Sequence, residues 1–169
     1  MKLASLEAIV RALEHAGVRY LVAGGLAVNA HGYQRFTHDV DLVIQLNPGN
    51  LVSAFHALTS LGYQPLVQVS AEQFADEARM RHWISERGMQ VLKFHSDRHR
   101  ETPLNVVVTE PFDFDSEYAA VQKQELAPGL FVRFVSIPTV IAMKEVAGRP
   151  RDMDDIQHLR WIIEELSRK

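Results

Sequence analysis

At 169 residues and 47% hydrophobic content, the chain has the length of one ordinary domain and enough apolar surface to bury a core without staples. It contains no cysteine, which excludes disulfides, thiolate zinc sites and cysteine nucleophiles, and fits a reducing, cytoplasmic setting. A net charge of -3 argues against a positive coat for nonspecific nucleic-acid binding, and no run reads as a signal peptide or a membrane span.

In chain order, Ser5 is placed to cap a first helix, in which Leu6, Ile9, Val10 and Leu13 recur at helical spacing until Gly17. Residues 18–23 read as a short buried strand ending at Gly24-Gly25. A short helix over 26–31 follows and closes at Gly32. A second strand, 40–46, stops at Asn47-Pro48-Gly49. Leu51, Phe55 and Leu58 mark one face of a helix over 50–60, and Ser70 with Gln73 forms a capping box that opens a helix toward Trp83. Strands are expected at 89–94, 104–109 and 130–135, with a helix over 115–124. Pro138 opens a helix that runs through Ala147, and Gly148-Arg149-Pro150 breaks it. A last helix, 152–166, starts with Asp152 as its N-cap. Trp83 and Trp161 read as core or interface aromatics. The pattern predicts an α/β or α+β fold, a small mixed sheet flanked by helices. One domain is expected over 1–169, with a sheet-containing core at 1–136 and C-terminal helices at 137–169.

The chemistry concentrates in YLVAGGLAVNAHGYQRFTHDVDL. Residues two apart on a strand share a face, so Asp39 and Asp41 project together. Two adjacent carboxylates repel unless a cation or a shared proton intervenes, and a hard divalent cation is the usual reason for such a pair. Gly24-Gly25 adds a bend where backbone can approach a phosphate with no Cβ in the way. Arg35 either positions a phosphate or pairs with Asp39. Thr37 serves as a metal-proximal hydroxyl or simply suits strand entry, and His38 reads as a surface residue. A second feature is the segment 79–100, which carries Arg79, Arg81, Arg87, Lys93, Arg98 and Arg100. It reads as a solvated face or as a patch for a polyanion such as RNA.

Gly24-Gly25, a short helix, Arg35, Thr37 and the Asp39-Val40-Asp41-Leu42 strand resemble the nucleotidyltransferase superfamily, marked by a glycine pair followed by two acids in alternation. The run IAMKEVAGRPRDMDDIQHL is similar to the branch that contains the abortive-infection-type toxin nucleotidyltransferases, with a helical lysine before an R-x-x-D-x-x-D-like stretch. The two stretches cover about a quarter of the chain. The resemblance implies transfer of a nucleoside monophosphate from a nucleoside triphosphate to a hydroxyl on RNA, protein or a small molecule. It implies Mg²⁺ (or Mn²⁺) on Asp39 and Asp41, and Asp39, Asp41 and Lys144 as catalytic residues. Gly24, Gly25, Arg35, Thr37, Lys144, Asp152 and Asp155 would bind the nucleotide, and a toxin of this kind would have an antitoxin partner. The third carboxylate of the superfamily falls at Asn105, in TPLNVVVTE. An amide offers a carbonyl oxygen to a metal but carries no negative charge and cannot act as a base. A nucleotide-binding module without full turnover is therefore the alternative expectation. Asp113 and Asp115 follow that strand rather than lie within it.

Overall fold

The structure, a computed structural model, describes residues 1–168. The elements run α1 (Leu3–His15), β1 (Tyr20–Ala23), α2 (Gly24–Ala30), β2 (Val40–Ile44), α3 (Pro48–Ser60), β3 (Tyr63–Pro65), α4 (Ala71–Ala75) and α5 (Glu77–Arg87). There follow β4 (Val91–Ser96), β5 (Leu104–Val107), α6 (Phe114–Ala120), β6 (Lys123–Ala127), β7 (Leu130–Arg133), α7 (Ile137–Ala147) and α8 (Pro150–Ser167). Five strands form a mixed sheet in the order β1-β2-β5-β4-β3, in which only β2 and β5 are parallel neighbours. A separate hairpin, β6-β7, reaches the β1 edge through a parallel bridge between Val22 and Phe134.

Strand alternation divides the sheet into two unlike faces. Val40 and Leu42 of β2, Leu104 and Val106 of β5, and Leu92 and Phe94 of β4 are all buried on one face. Phe55 of α3 meets Phe94 edge-on at 5.7 Å and Phe74 of α4 at 6.0 Å, so helices close this side. The other face carries Asp41, Asn105, Lys93 and His95, which are half-buried or exposed. Register aligns them: Ala23 pairs with Asp41, Asp41 with Asn105, and Asn105 with Lys93. The first face makes core along its whole width; the second is buried in its β1–β2 half, at Leu21, Ala23 and Val43, and turns polar from Asp41 toward β4.

Several boundaries differ from the sequence reading, each for a local reason. The first helix starts at Leu3 after Lys2, and Ser5 lies inside it, buried, with its hydroxyl 2.9 Å from His99 Nδ1. The Ser70–Gln73 capping box forms, but Asp76 ends that helix and caps α5 by accepting from the Arg79 amide. Residues 115–124 are not one helix, because Asp113 caps α6 and the chain turns extended at Val121 to build β6. Strand β3 carries too few residues for a visible alternation. Trp83 is buried in the core, whereas Trp161 is half exposed and edge-on to His158. Among the described residues no helix is long and apolar enough to cross a membrane.

Leu104 is fully buried between β2 and β4, one residue before Asn105. Leu104→Ala is expected to cost about 2–5 kcal/mol, through lost transfer energy and the cavity left behind. Denaturant unfolding of the purified variant measures it.

Candidate active site

Asp41 is the second residue of β2, and Asp39 lies just before that strand. Both carboxylates are held by one neighbour: Asn105 Nδ2 donates to Asp39 Oδ2 and to Asp41 Oδ1, each at 2.9 Å. Each N–H of one amide therefore serves one carboxylate. This is the structural answer to the repulsion that a pair of acids creates. Burial pushes the Asp41 carboxyl above its ordinary range; the Asn105 hydrogen bond pulls the other way, and the Asp39 charge adds to the rise.

The glycine pair has a steric reason that the sequence alone did not disclose. Gly24 adopts φ +61°, a backbone conformation favouring glycine, and a Cβ there would lie 1.9 Å from Asp41 Oδ2. A Cβ on Gly25 would lie 2.4 Å from the Thr37 hydroxyl and 3.0 Å from Arg35 Nη1. The bend is thus the seat on which Asp41, Thr37 and Arg35 rest.

Lys144, Asp152, Asp155 and Arg35 come together a layer deeper, in one ion-pair network. Lys144 Nζ donates to Asp152 Oδ1 at 2.9 Å and pairs with Asp155 Oδ2 at 2.6 Å. Arg35 grips Asp155 with two bonds, Nε to Oδ1 at 2.5 Å and Nη2 to Oδ2 at 2.6 Å. Arg149 Nε reaches Asp152 Oδ2 at 2.8 Å. Lys144, Asp152 and Asp155 are all buried, whereas the Arg149 side chain is 72% exposed. Arg35 therefore pairs with Asp155 and not with Asp39. Asp152 is not the N-cap of α8: the helix starts at Pro150, and Asp152 sits in its first turn and accepts from the Arg149 backbone N–H at 3.2 Å. Burial pushes Asp152 upward, but hydrogen bonds from Arg149 and Lys144 outweigh it and bring the group down to about 2. For Asp155 burial is likewise outweighed by its bonds from Arg35 and Lys144, so it too lies below the usual carboxylate range.

Two participants, Asn29 and Arg151, were not singled out from the sequence, and a third, Arg149, entered there only in the break after α7 and as the arginine of the R-x-x-D-x-x-D-like stretch. Asn29 of α2 pins the Arg35 backbone in both directions, Nδ2 to the Arg35 carbonyl at 2.9 Å and Oδ1 from the Arg35 amide at 3.1 Å. Arg149 stands close enough for Asp41 and Asp39, after its main partner Asp152, to help hold its pKa above the ordinary arginine value. Arg151 donates to the Phe36 carbonyl, which also receives Arg35 Nη1. Arg149 precedes Pro150 as the N-cap of α8 and Arg151 follows it in the first turn; for Arg151 the neighbouring proline was the only visible signal. His38 is exposed. Asp113 and Asp115 line a cavity of about 320 Å³ with Gln45, Asn47 and Glu110, beyond the far end of β2. That is about 13 Å along the strand from Asp41, so they supply nothing to the acid pair.

Two solved structures share this arrangement of elements. The solution structure of the antibiotic-resistance factor ANT(2'')-Ia matches with a TM-score of 0.60 at 16% identity, over 97% of this chain and 83% of that one. The crystal structure of an antigenic nucleotidyltransferase-like protein from Paracoccidioides brasiliensis matches with a TM-score of 0.54 at 17% identity, over 96% and 75%. The chain has a nucleotidyltransferase-like fold. At these identities the likeness is one of fold, and no family model and no curated protein matches the sequence. Among the described residues no group of three or more His, Asp or Glu side chains converges as a metal site. Two carboxylates and one amide are what the acid pair offers. The amide turns its nitrogen to the pair, so the oxygens on offer are those of the two carboxylates, and these suit Mg²⁺, which is commonly bound through one or two carboxylates together with waters and substrate phosphates.

Removing Lys144 leaves two buried carboxylates short of a cation, so Lys144→Ala is expected to destabilise by about 3–5 kcal/mol. Because Asp152 is depressed from 3.8 to about 2, its contribution is fully present above pH 3.8 and lost as pH falls toward 2. Melting curves from pH 7 to 2 should show this loss in the wild type and a smaller one in the variant. Asp41 behaves in the opposite sense. Its raised pKa means that the folded state holds the proton more tightly, so stability declines as pH rises from 3.8 through the folded value. Without divalent cations, Asp41→Asn should melt above the wild type at pH 7, with the gap closing toward pH 4. Added Mg²⁺ should stabilise the wild type and leave Asp41→Asn unmoved.

Proposed function

We propose that the protein binds a nucleoside triphosphate with Mg²⁺ and transfers a nucleoside monophosphate to a hydroxyl acceptor. The observation that carries this reading is the convergence of Asp39, Asp41 and Asn105 against the Gly24-Gly25 bend, within a nucleotidyltransferase-like fold. Asp39 and Asp41 would hold the cation, with the Asn105 amide turned to present its carbonyl oxygen. When bound, Mg²⁺ (or Mn²⁺) supplies charge neutralisation at the phosphates and polarises the α-phosphate. Gly24, Gly25 and Thr37 form the floor against which the phosphates lie. Arg149, exposed beside the acids, is the side chain able to reach the leaving pyrophosphate.

Arg35, Lys144, Asp152 and Asp155 contribute to nucleotide binding from behind, by fixing the Gly25–Thr37 floor and the α8 start that carries Arg149. In the transfer, the acceptor oxygen bonds to the α-phosphorus and the bond to the bridging oxygen breaks. Pyrophosphate leaves with the bonding electrons. The hydroxyl proton passes to water, because Asn105 has no basic atom and Asp39 and Asp41 are engaged with the cation. The run from Lys144 through Arg149 to Asp155 resembles that of the abortive-infection-type toxins, and that resemblance supports a toxin role with an antitoxin as partner.

One observation favours a second reading. Asn105 occupies both carboxylates through its N–H groups, so the pair is settled without metal. A module that binds nucleotide without transferring it is the outcome if that arrangement persists. Titration calorimetry with ATP, GTP, CTP and UTP plus Mg²⁺, followed by label transfer from α-labelled triphosphates in cell extract, separates the two. Transfer abolished by Asp41→Ala is the expected result, and Asn105→Asp should raise it by an order of magnitude or more by restoring a third anionic ligand. Binding by the wild type with no label moved, and none gained in Asn105→Asp, would establish the module instead.

A further inference from the structure

The sheet face that carries the acid pair does not end at Asn105. Lys93 of β4 is its direct cross-strand partner, and on that face it is the neighbour on the side away from Asp41. His95 follows two residues on, opposite Gln64 of β3, and all three side chains are exposed. Gln64 and His95 then form one wall of a cavity of about 250 Å³, shared with Thr59, Ser60, Asp97 and Arg98. With strands about 4.8 Å apart and about 3.4 Å per residue along them, His95 stands about 12 Å from Asp41. Asp97 in that cavity is already faced by Arg100 at 3.6 Å, while Lys93 and Arg98 have no ion-pair partner among the described residues. The remaining cations of the basic segment, Arg79, Arg81 and Arg87, belong to α5, which packs on α4.

We infer that this strip, from Asn105 over Lys93 and His95 to the Arg98 cavity, receives the acceptor, and that the acceptor carries phosphate. The inference rests on the nucleotide reading of Asp39 and Asp41 and names the substrate class for the other half of that site. The physical ground is charge. Where a third carboxylate would stand there is a neutral amide, and the next residue in the row is a lysine. A cationic acceptor would meet Lys93 beside the reacting centre and Arg98 at its far end, with like charges opposed at both positions. An anionic one is drawn to both. Phosphate at the distance of Lys93 or Arg98, with a free hydroxyl directed at the acid pair, fits a sugar phosphate or the end of a nucleic-acid strand.

The experiment uses the whole chain and two probes: a fluorescein-labelled single-stranded RNA hexamer read by anisotropy, and ribose 5-phosphate as competitor. Lys93→Glu and Arg98→Glu are each expected to weaken hexamer binding at least fivefold, with melting temperatures confirming that these exposed positions leave the fold intact. Competition by ribose 5-phosphate assigns the sugar-phosphate source; binding of the hexamer alone assigns the strand. Unchanged hexamer binding in both variants, or loss only in Arg79→Ala/Arg81→Ala/Arg87→Ala, overturns the proposal. So does a wild type that binds neither probe. Calorimetry with MgATP on the same preparations reports on the nucleotide site separately, so a failure there is distinguishable from a failure of the strip.

Discussion

Two carboxylates on one strand face, with nothing between them, repel; the arrangement of the rest of the site follows from how that repulsion is managed. Here a single amide stands where a third acid would make matters worse. Asn105 gives one N–H to each acid, and the glycine bend lets Asp41 lie against backbone without a Cβ in its way. The acids stay paired, half-buried and directed to the open face. The same amide that makes the metal-free pair tolerable removes a negative ligand and a base. Settling the pair and supplying charge to a cation are opposing demands on one position.

The buried charges behind the site obey a different balance. Desolvating an ion costs several kcal/mol, and a buried pair seldom repays more than that. The network of Lys144, Asp152, Asp155, Arg35 and Arg149 is therefore better understood as a device for position than as a source of stability. It ties the loop before β2 to the distant corner where α7 ends and α8 begins. Three cations face two carboxylates within it, which leaves one positive charge in excess next to the acid pair. Arg149 carries that excess outward, since it alone of the five is largely exposed.

The fold makes this possible by dividing its sheet. Phe94, Leu104 and Leu42 turn toward the helices, and their strand neighbours Lys93, Asn105 and Asp41 turn away. Packing free energy is collected on the whole of one side and on the β1–β2 half of the other, at Leu21 and Val43, so the strip from Asp41 to β4 can hold polar groups without loss of the core. A β-strand has period two, and every residue that secures the core sets the direction of a residue in the site.

The sequence by itself determined the local chemistry. The alternation around Asp39 and Asp41, the glycine pair directly after a buried strand, and the helix-strand order all depend on neighbours within a few residues, and so they were legible. Strands β3 and β6 were not, because each owes its existence to a partner strand and too little pattern of its own. Tertiary structure alone decided what each charged group faces. Arg35 could have met Asp39 or a phosphate, and it met Asp155, 120 residues away. Lys93 could have been one more solvated cation, and the register set it beside Asn105. A side chain's partners are chosen by the pairing of distant strands and helices, and no short window of sequence contains that choice.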